Sequence, residues 1–180
     1  MILIKDNFFD SVDKIRQIAL DFDYNYFEDL IPTPEWRGYR TNSLVLCESN
    51  FSSLLVECAK KIIFSVCEFY NLNSDEYVID IFFHITYERT KETINDFENM
   101  KYHRDSASYA GLVYLTPNPQ QEMGTSILYK NKIIDVKNVY NRMVAYPAYY
   151  IHGPKNLFGD TKENSRMTLT FLTFFITKTT

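Results

Sequence analysis

Residues 100–129 read MKYHRDSASYAGLVYLTPNPQQEMGTSILY, and this stretch decides the fold. A polar cluster holding His103 and Asp105 leads into the apolar run SYAGLVYLT (108–116). A Pro- and Gly-containing turn follows, and TSILY (125–129) resumes strand-like chemistry. The pattern continues downstream in KIIDV (132–136), RMVAYPAYYIH (142–152) and RMTLTFLTFFIT (166–177), separated by turn segments such as TPNPQQEMG and YKNK. Short strands at such spacing predict a jelly roll or a related barrel.

Upstream, period-two alternation puts Tyr77, Ile79, Ile81, Phe83, Ile85 and Tyr87 on one face and a mixed set on the other, the pattern of a long strand. Before it the period changes. DSVDKIRQIALDF (10–22) carries Val12, Ile15, Ile18, Ala19 and Phe22 at helical spacing, with Asp10 or Ser11 as the N-cap, after a short opening strand. FSSLLVECAKKIIFSVCEFY (51–70), capped by Asn50, sets Leu54, Leu55, Cys58, Ile62, Val66 and Phe69 along one side of a second helix. Between the two, DLIPTPEWRGYRTNS (29–43) reads as an ordered loop, because Trp36, Tyr39 and Arg40 give it packing surface. The expected class is α+β: a double-stranded β-helix, jelly-roll and cupin-like, with N-terminal helices packed on one sheet. One domain spans 1–180, with 1–76 as helical support and 77–180 as the core. No internal repeat is visible.

A chain of 180 residues, 46% hydrophobic and 16% aromatic, can bury a substantial core without disulfides or a structural metal. Its formal net charge of -4, with acids and bases intermixed, offers no basic face to track a phosphate backbone, so nucleic acid is not an expected partner. Cys47, Cys58 and Cys67 form no C-x-x-C pair, and Cys58 and Cys67 fall within the second helix as small apolar residues. No stretch reaches the roughly 18 apolar residues of a membrane span, and the opening MILIKDNFFD has too short an apolar run for a signal peptide. A soluble protein of a reducing, cytoplasmic compartment is expected, with oligomeric state open.

The chemistry begins with His103 and Asp105. In extended chain, residues two apart project from the same face, so an imidazole and a carboxylate can converge on one point. Two ligands hold a metal poorly, and only His84 and His152 remain. His84 lies inside the long strand and reads as a packed histidine, whereas His152 closes an aromatic strand just before Gly153. Two imidazoles and one carboxylate with open positions suit non-haem Fe(II). The plain alternative is a capping aspartate and two surface histidines. Arg166 opens the last apolar strand and shares a face with Thr168; a guanidinium inside a barrel needs an anion, which it grips as a bidentate fork. The plain alternative there is a strand-end arginine in solvent.

In the order H-x-D, later His, later Arg, the stretch from Tyr77 to the C-terminus resembles the Fe(II)/2-oxoglutarate-dependent dioxygenase superfamily, and within it the prolyl-4-hydroxylase-like group. That family carries its two-His, one-carboxylate triad on a distorted double-stranded β-helix, and a basic residue on the eighth core strand anchors the distal carboxylate of 2-oxoglutarate. The resemblance implies His103, Asp105 and His152 as metal ligands and Arg166 with Thr168 as the anchor. By looser similarity it implies Tyr114 in VYLTPNPQQEMGTSILY and Tyr87 in ITYE as cosubstrate-binding tyrosines. The segment GPKNLFGDTKENS, between His152 and Arg166, is longer than is usual in prolyl hydroxylases and reads as an extended loop.

The resemblance implies Fe(II), 2-oxoglutarate and O2 as the working set. The implied reaction hydroxylates an amino-acid or peptidyl side chain or a small metabolite, with release of succinate and CO2. A different class stays open beside it: a non-catalytic, cupin-like module that encloses a small ligand or peptide. Residues 89–101 are the candidate lid, and Trp36 with Arg40 the candidate substrate wall.

Overall fold

The computed structural model describes residues 1–26, 38–46, 52–88 and 102–176. Trp36, Cys47, Asn50 and the candidate lid at 89–101 lie outside the described residues. The described chain forms two mostly antiparallel sheets and two α-helices. In chain order the strands are β1 (Leu3–Lys5), β2 (Asn25–Tyr26), β3 (Tyr39–Arg40), β4 (Tyr77–Thr86), β5 (Tyr109–Tyr114), β6 (Thr125–Tyr129), β7 (Lys132–Val136), β8 (Met143–Pro147), β9 (His152–Pro154) and β10 (Arg166–Phe175). The helices are α1 (Val12–Asp21) and α2 (Ser52–Tyr70). A seven-stranded sheet runs β1-β8-β5-β10-β4-β3-β2, and a three-stranded sheet runs β7-β6-β9. Among the described residues no helix is long and apolar enough to cross a membrane.

Strand alternation divides the large sheet into two chemistries. Odd-numbered residues, among them Ile81, Phe83 and Ile85 of β4, Val113 of β5, Met143 and Ala145 of β8, and Met167, Leu169 and Phe171 of β10, form one buried cluster with Ile15, Ile18 and Ala19 of α1 and Leu55, Cys58, Ile62 and Val66 of α2. Even-numbered residues face the small sheet: Ala110, Leu112, Tyr114, Val144 and Tyr146 pack there with Ile127 of β6 and Val136 of β7. The helices therefore cover one face and leave the other to enclose a polar interior. Close packing on the helix side requires Gly111, where a Cβ would stand 2.2 Å from the Val144 carbonyl oxygen and 2.4 Å from Cζ of Phe171. Gly111→Ala should cost about 1–3 kcal/mol, checked by a drop of the thermal midpoint of about 2–4 °C per kcal/mol.

Four local expectations are corrected. Phe69 is 36% exposed, so the buried stripe of α2 ends at Val66 and does not reach the last turn. Ser11 stands at the N-cap of α1 without a side-chain hydrogen bond. RMVAYPAYYIH is two strands: β8 ends at Pro147, which has no N–H to continue a ladder, a turn is closed by Tyr150 N–H to the Pro147 carbonyl (3.0 Å), and β9 joins the other sheet. The fourth concerns Tyr87: β4 stops at Thr86, and Tyr87 lies in the helix-side cluster with its ring 5.2 Å from that of Tyr39. The long segment before β10 is well anchored. Leu157 and Phe158 are buried, Arg16 of α1 donates to the Glu163 carbonyl (2.8 Å), and Lys162 donates to the Leu20 and Phe22 carbonyls at the end of α1.

Candidate active site

The crossing from β8 to β9 delivers His152 to the edge of the small sheet, where Ile127 of β6 is its partner on one side. On the other side His103 forms an isolated antiparallel bridge with it, each backbone N–H donating to the other's carbonyl at 2.9 Å. Residues directly opposite in such a bridge bring their side chains together, and the two imidazole rings lie 4.5 Å apart. Asp105 is held by its N–H to the Ala148 carbonyl (3.0 Å), in the turn that joins β8 to β9.

Ligand atoms of His103, Asp105 and His152 all fall within 4.8 Å of one another. Nε2 of His152 is 3.2 Å from Oδ2 of Asp105, and Nε2 of His103 is 3.5 Å from Oδ1. The Nδ1 atom of His152 is 2.9 Å from the Tyr150 carbonyl oxygen, so Nδ1 carries the proton and Nε2 keeps its lone pair for the shared point. Burial alone would raise the Asp105 pKa, but hydrogen bonds from His103 and His152 and their charges outweigh it and hold the carboxyl well below the usual range. The site thus presents one anionic oxygen and two imidazole nitrogens, a donor set that fits a divalent metal with open positions.

Farther along the same interior, Arg166 is 4% exposed. Nη2 donates to Thr125 Oγ1 (3.1 Å), the Thr125 and Tyr114 hydroxyls are hydrogen-bonded at 2.7 Å, and the guanidinium lies over the Tyr114 ring at 5.6 Å. Its Nε is buried with no hydrogen-bond partner, and among the described residues no carboxylate pairs with it. Burial lowers the Arg166 pKa from its usual value, yet a guanidinium stays protonated in proteins, so a cation is stored here without an anion. Thr86, opposite Arg166 in the β4–β10 register, adds a buried hydroxyl that is also without a partner. Thr168 is fully buried, with β4 on one side and Tyr114 of β5 on the other, and its hydroxyl meets that of Thr170 at 3.0 Å.

His84 sits opposite Thr168 at 2% exposure. Burial, then the charges of Arg166, Arg40 and His103, push its pKa well below the ordinary histidine value and keep it neutral. It faces the interior but does not join the His103, Asp105 and His152 cluster. Tyr146, whose ring is 4.6 Å from that of His152, stays protonated because burial and the Asp105 charge raise its pKa. Cys58 is buried, and burial pushes its thiol up to about 12, so it has no part in nucleophilic chemistry.

The interior therefore gathers His103, Asp105, His152, Tyr114, Arg166 and Thr168, and leaves Tyr87 on the far side of the sheet. Thr125 and Thr86 were not among the expected site residues. Strand parity with Phe82 and His84 was the available signal for Thr86; Thr125 comes from the other sheet, and nothing local marks it.

No family model matches the chain, and no curated protein matches it. Solved structures do. A prolyl-4-hydroxylase from Pseudomonas putida is 12% identical with a TM-score of 0.60, covering 98% of this chain and 93% of that one. A prolyl hydroxylase from Trichoplax adhaerens, in complex with a hypoxia-inducible-factor peptide fragment, is 16% identical with a TM-score of 0.63 over 97% of this chain and 83% of its own. HygX from Streptomyces hygroscopicus, with nickel, 2-oxoglutarate and hygromycin B bound, is 13% identical with a TM-score of 0.62 over 96% and 82%. The fold of this chain is the one these prolyl hydroxylases share with other 2-oxoglutarate, Fe(II) oxygenase structures.

Proposed function

We propose that this protein is an Fe(II)- and 2-oxoglutarate-dependent dioxygenase that hydroxylates an amino-acid or peptidyl side chain or a small metabolite. The supporting observation is one interior that holds both a two-histidine, one-carboxylate donor set and a buried guanidinium without an anion. A non-catalytic module needs a metal or an anion site, but the pairing of the two within one enclosure matches a cosubstrate that is a keto acid at one end and a carboxylate at the other. In this reading the two sheets form a double-stranded β-helix within a single domain spanning 1–180.

His103, Asp105 and His152 would hold the iron. Arg166, with Thr168, would take the distal carboxylate of 2-oxoglutarate, and Tyr114 and Thr125 would orient the guanidinium fork through their shared hydrogen bonds. When bound, the iron and its cosubstrate supply the oxidation: O2 is consumed, 2-oxoglutarate loses CO2 to become succinate, and one oxygen atom enters succinate while the other converts a substrate C–H to C–OH. The chain's own contribution is positional. The Tyr150 carbonyl fixes the His152 tautomer, and Leu112, Val144 and Tyr146 exclude water from the space between the sheets. The Trichoplax neighbour was solved with a peptide and HygX with hygromycin B, so both peptide and small-molecule substrates are compatible with this fold.

The test is direct. Purified protein supplied with Fe(II), 2-oxoglutarate and air should release succinate and CO2 in equal amounts, at a rate abolished by chelation and restored by Fe(II). Metal and 2-oxoglutarate binding without succinate would establish the cupin-like binding module instead.

A further inference from the structure

Beyond the metal ligands and the Arg166 pocket, the same interior carries another pair of opposite charges. The even-numbered residues of β4 turn away from the helices, so Asp80, Phe82, His84 and Thr86 share a face. Arg40 of β3 is the register partner of His84, and its guanidinium carbon lies 4.3 Å from the centroid of the Phe82 ring. Burial lowers the Arg40 pKa, while the charges of Asp80 and of the metal ligand Asp105 act on it in the opposite sense. Arg40 thus stands within electrostatic reach of both Asp80 and the metal centre.

Asp80 has an unmet need. Its Oδ1 is sealed from solvent and accepts no hydrogen bond. Its register neighbour on β10 is Leu172, and the next residue across the sheet is Ala110; neither side chain has a donor. A buried acceptor left in this state costs about 1–3 kcal/mol, and more when it is charged. A donor that arrives with a ligand removes that cost. Charge balance narrows the ligand further. An anion binding Arg40 would take the counter-charge that Asp80 relies on, and a cation binding Asp80 would do the same to Arg40. A molecule carrying both an ammonium and a carboxylate satisfies both sides at once.

We propose that the substrate is a free amino acid, bound as its zwitterion with the carboxylate on Arg40 and the ammonium on Asp80. This names the substrate class of the oxygenase read above and rests on that reading. Hydroxylation then falls on the side chain of the amino acid, since both backbone charges are committed to the wall. A peptide, whose amine and acid are both blocked, leaves Asp80 and Arg40 without their charged partners.

The experiment uses the Fe(II)-loaded protein with 2-oxoglutarate and the standard L-amino acids in turn. For each that responds, the N-acetyl acid, the α-amide and the des-amino carboxylic acid follow. Succinate release and a product mass gain of one oxygen are read, together with calorimetric titration of each compound. At least one free amino acid should raise succinate release above the substrate-free rate, and each blocked form should be at least about tenfold poorer. In Asp80→Asn the preference for the amino acid over its des-amino acid should collapse by about tenfold or more. In Arg40→Gln the preference for the acid over its amide should collapse similarly. A merely structural role would lower both members of each pair equally and leave the ratio unchanged.

Blocked forms or peptides that work as well as free amino acids, or unchanged ratios in both variants, overturn the inference while succinate release upholds the oxygenase. No succinate from wild type under any condition overturns the oxygenase reading. The calorimetry then decides the substrate inference alone: absence of binding by every free amino acid ends it.

Discussion

His103→Ala and Asp105→Ala should each lower succinate release from 2-oxoglutarate by well over about a hundredfold. Residues that merely orient metal ligands are worth about 10- to 100-fold in affinity or activity, and these are the ligands themselves, with donor atoms within 4.8 Å of one another. Metal affinity is the independent readout: Co(II) titrated as a stand-in for Fe(II) should bind wild type at one equivalent and bind neither variant at the same concentration. The fold should survive, because both residues are held through backbone bonds, His103 to His152 and Asp105 to Ala148, that an alanine keeps. His84→Gln is the control. Its side chain lies outside the ligand cluster, so one-equivalent metal binding should persist. Loss of metal binding in His84→Gln, with retention in His103→Ala, would reverse the ligand assignment.

Arg166→Met should produce two effects of opposite sign. Affinity for 2-oxoglutarate should fall by at least about a hundredfold, since removing one partner of a buried, hydrogen-bonded charge pair costs about 2–5 kcal/mol. Stability of the protein without cosubstrate should hold or rise, because the guanidinium is 4% exposed, its Nε has no partner, and no carboxylate among the described residues neutralises it. Replacing an uncompensated buried charge by an apolar side chain of similar size is neutral or stabilising by about 1–4 kcal/mol. A thermal melt with and without 2-oxoglutarate separates the two. Wild type should gain about 2.7 kcal/mol at a hundredfold excess over its dissociation constant, and Arg166→Met should gain nothing. If Arg166 served only to hold the barrel together, the variant would melt lower by several degrees and still respond to 2-oxoglutarate. That result would end the anchor assignment.

The period of two carried the sequence reading furthest. It put His103 with Asp105 and Arg166 with Thr168, because side chains two residues apart in extended chain share a face whatever the rest of the fold does. The same rule, applied strictly, places Tyr87 with Ile85 and Phe83 on the helix side, which is where it lies, and marks Asp80 and Thr86 for the interior. Similarity of the ITYE stretch to a family pattern was the weaker guide there, since it ignores parity. The helical stripe of α2 was legible up to Val66 and failed at Phe69, because only the packed neighbours determine where burial stops.

Composition, periodicity and ligand order by themselves determined an α+β chain with a strand-rich second half, two helices before it, and a short list of side chains capable of metal and anion chemistry. These are local properties, written in residues at most a few positions apart or in the residue types themselves. Tertiary structure alone decided that RMVAYPAYYIH breaks at Pro147 and crosses between sheets, that His152 faces His103 across a backbone bridge, and that Thr125 of the small sheet meets Arg166 and Tyr114 of the large one. Each of these depends on which strands are neighbours. Pairing between strands distant in sequence is set by the burial of whole faces, and no single segment carries that information.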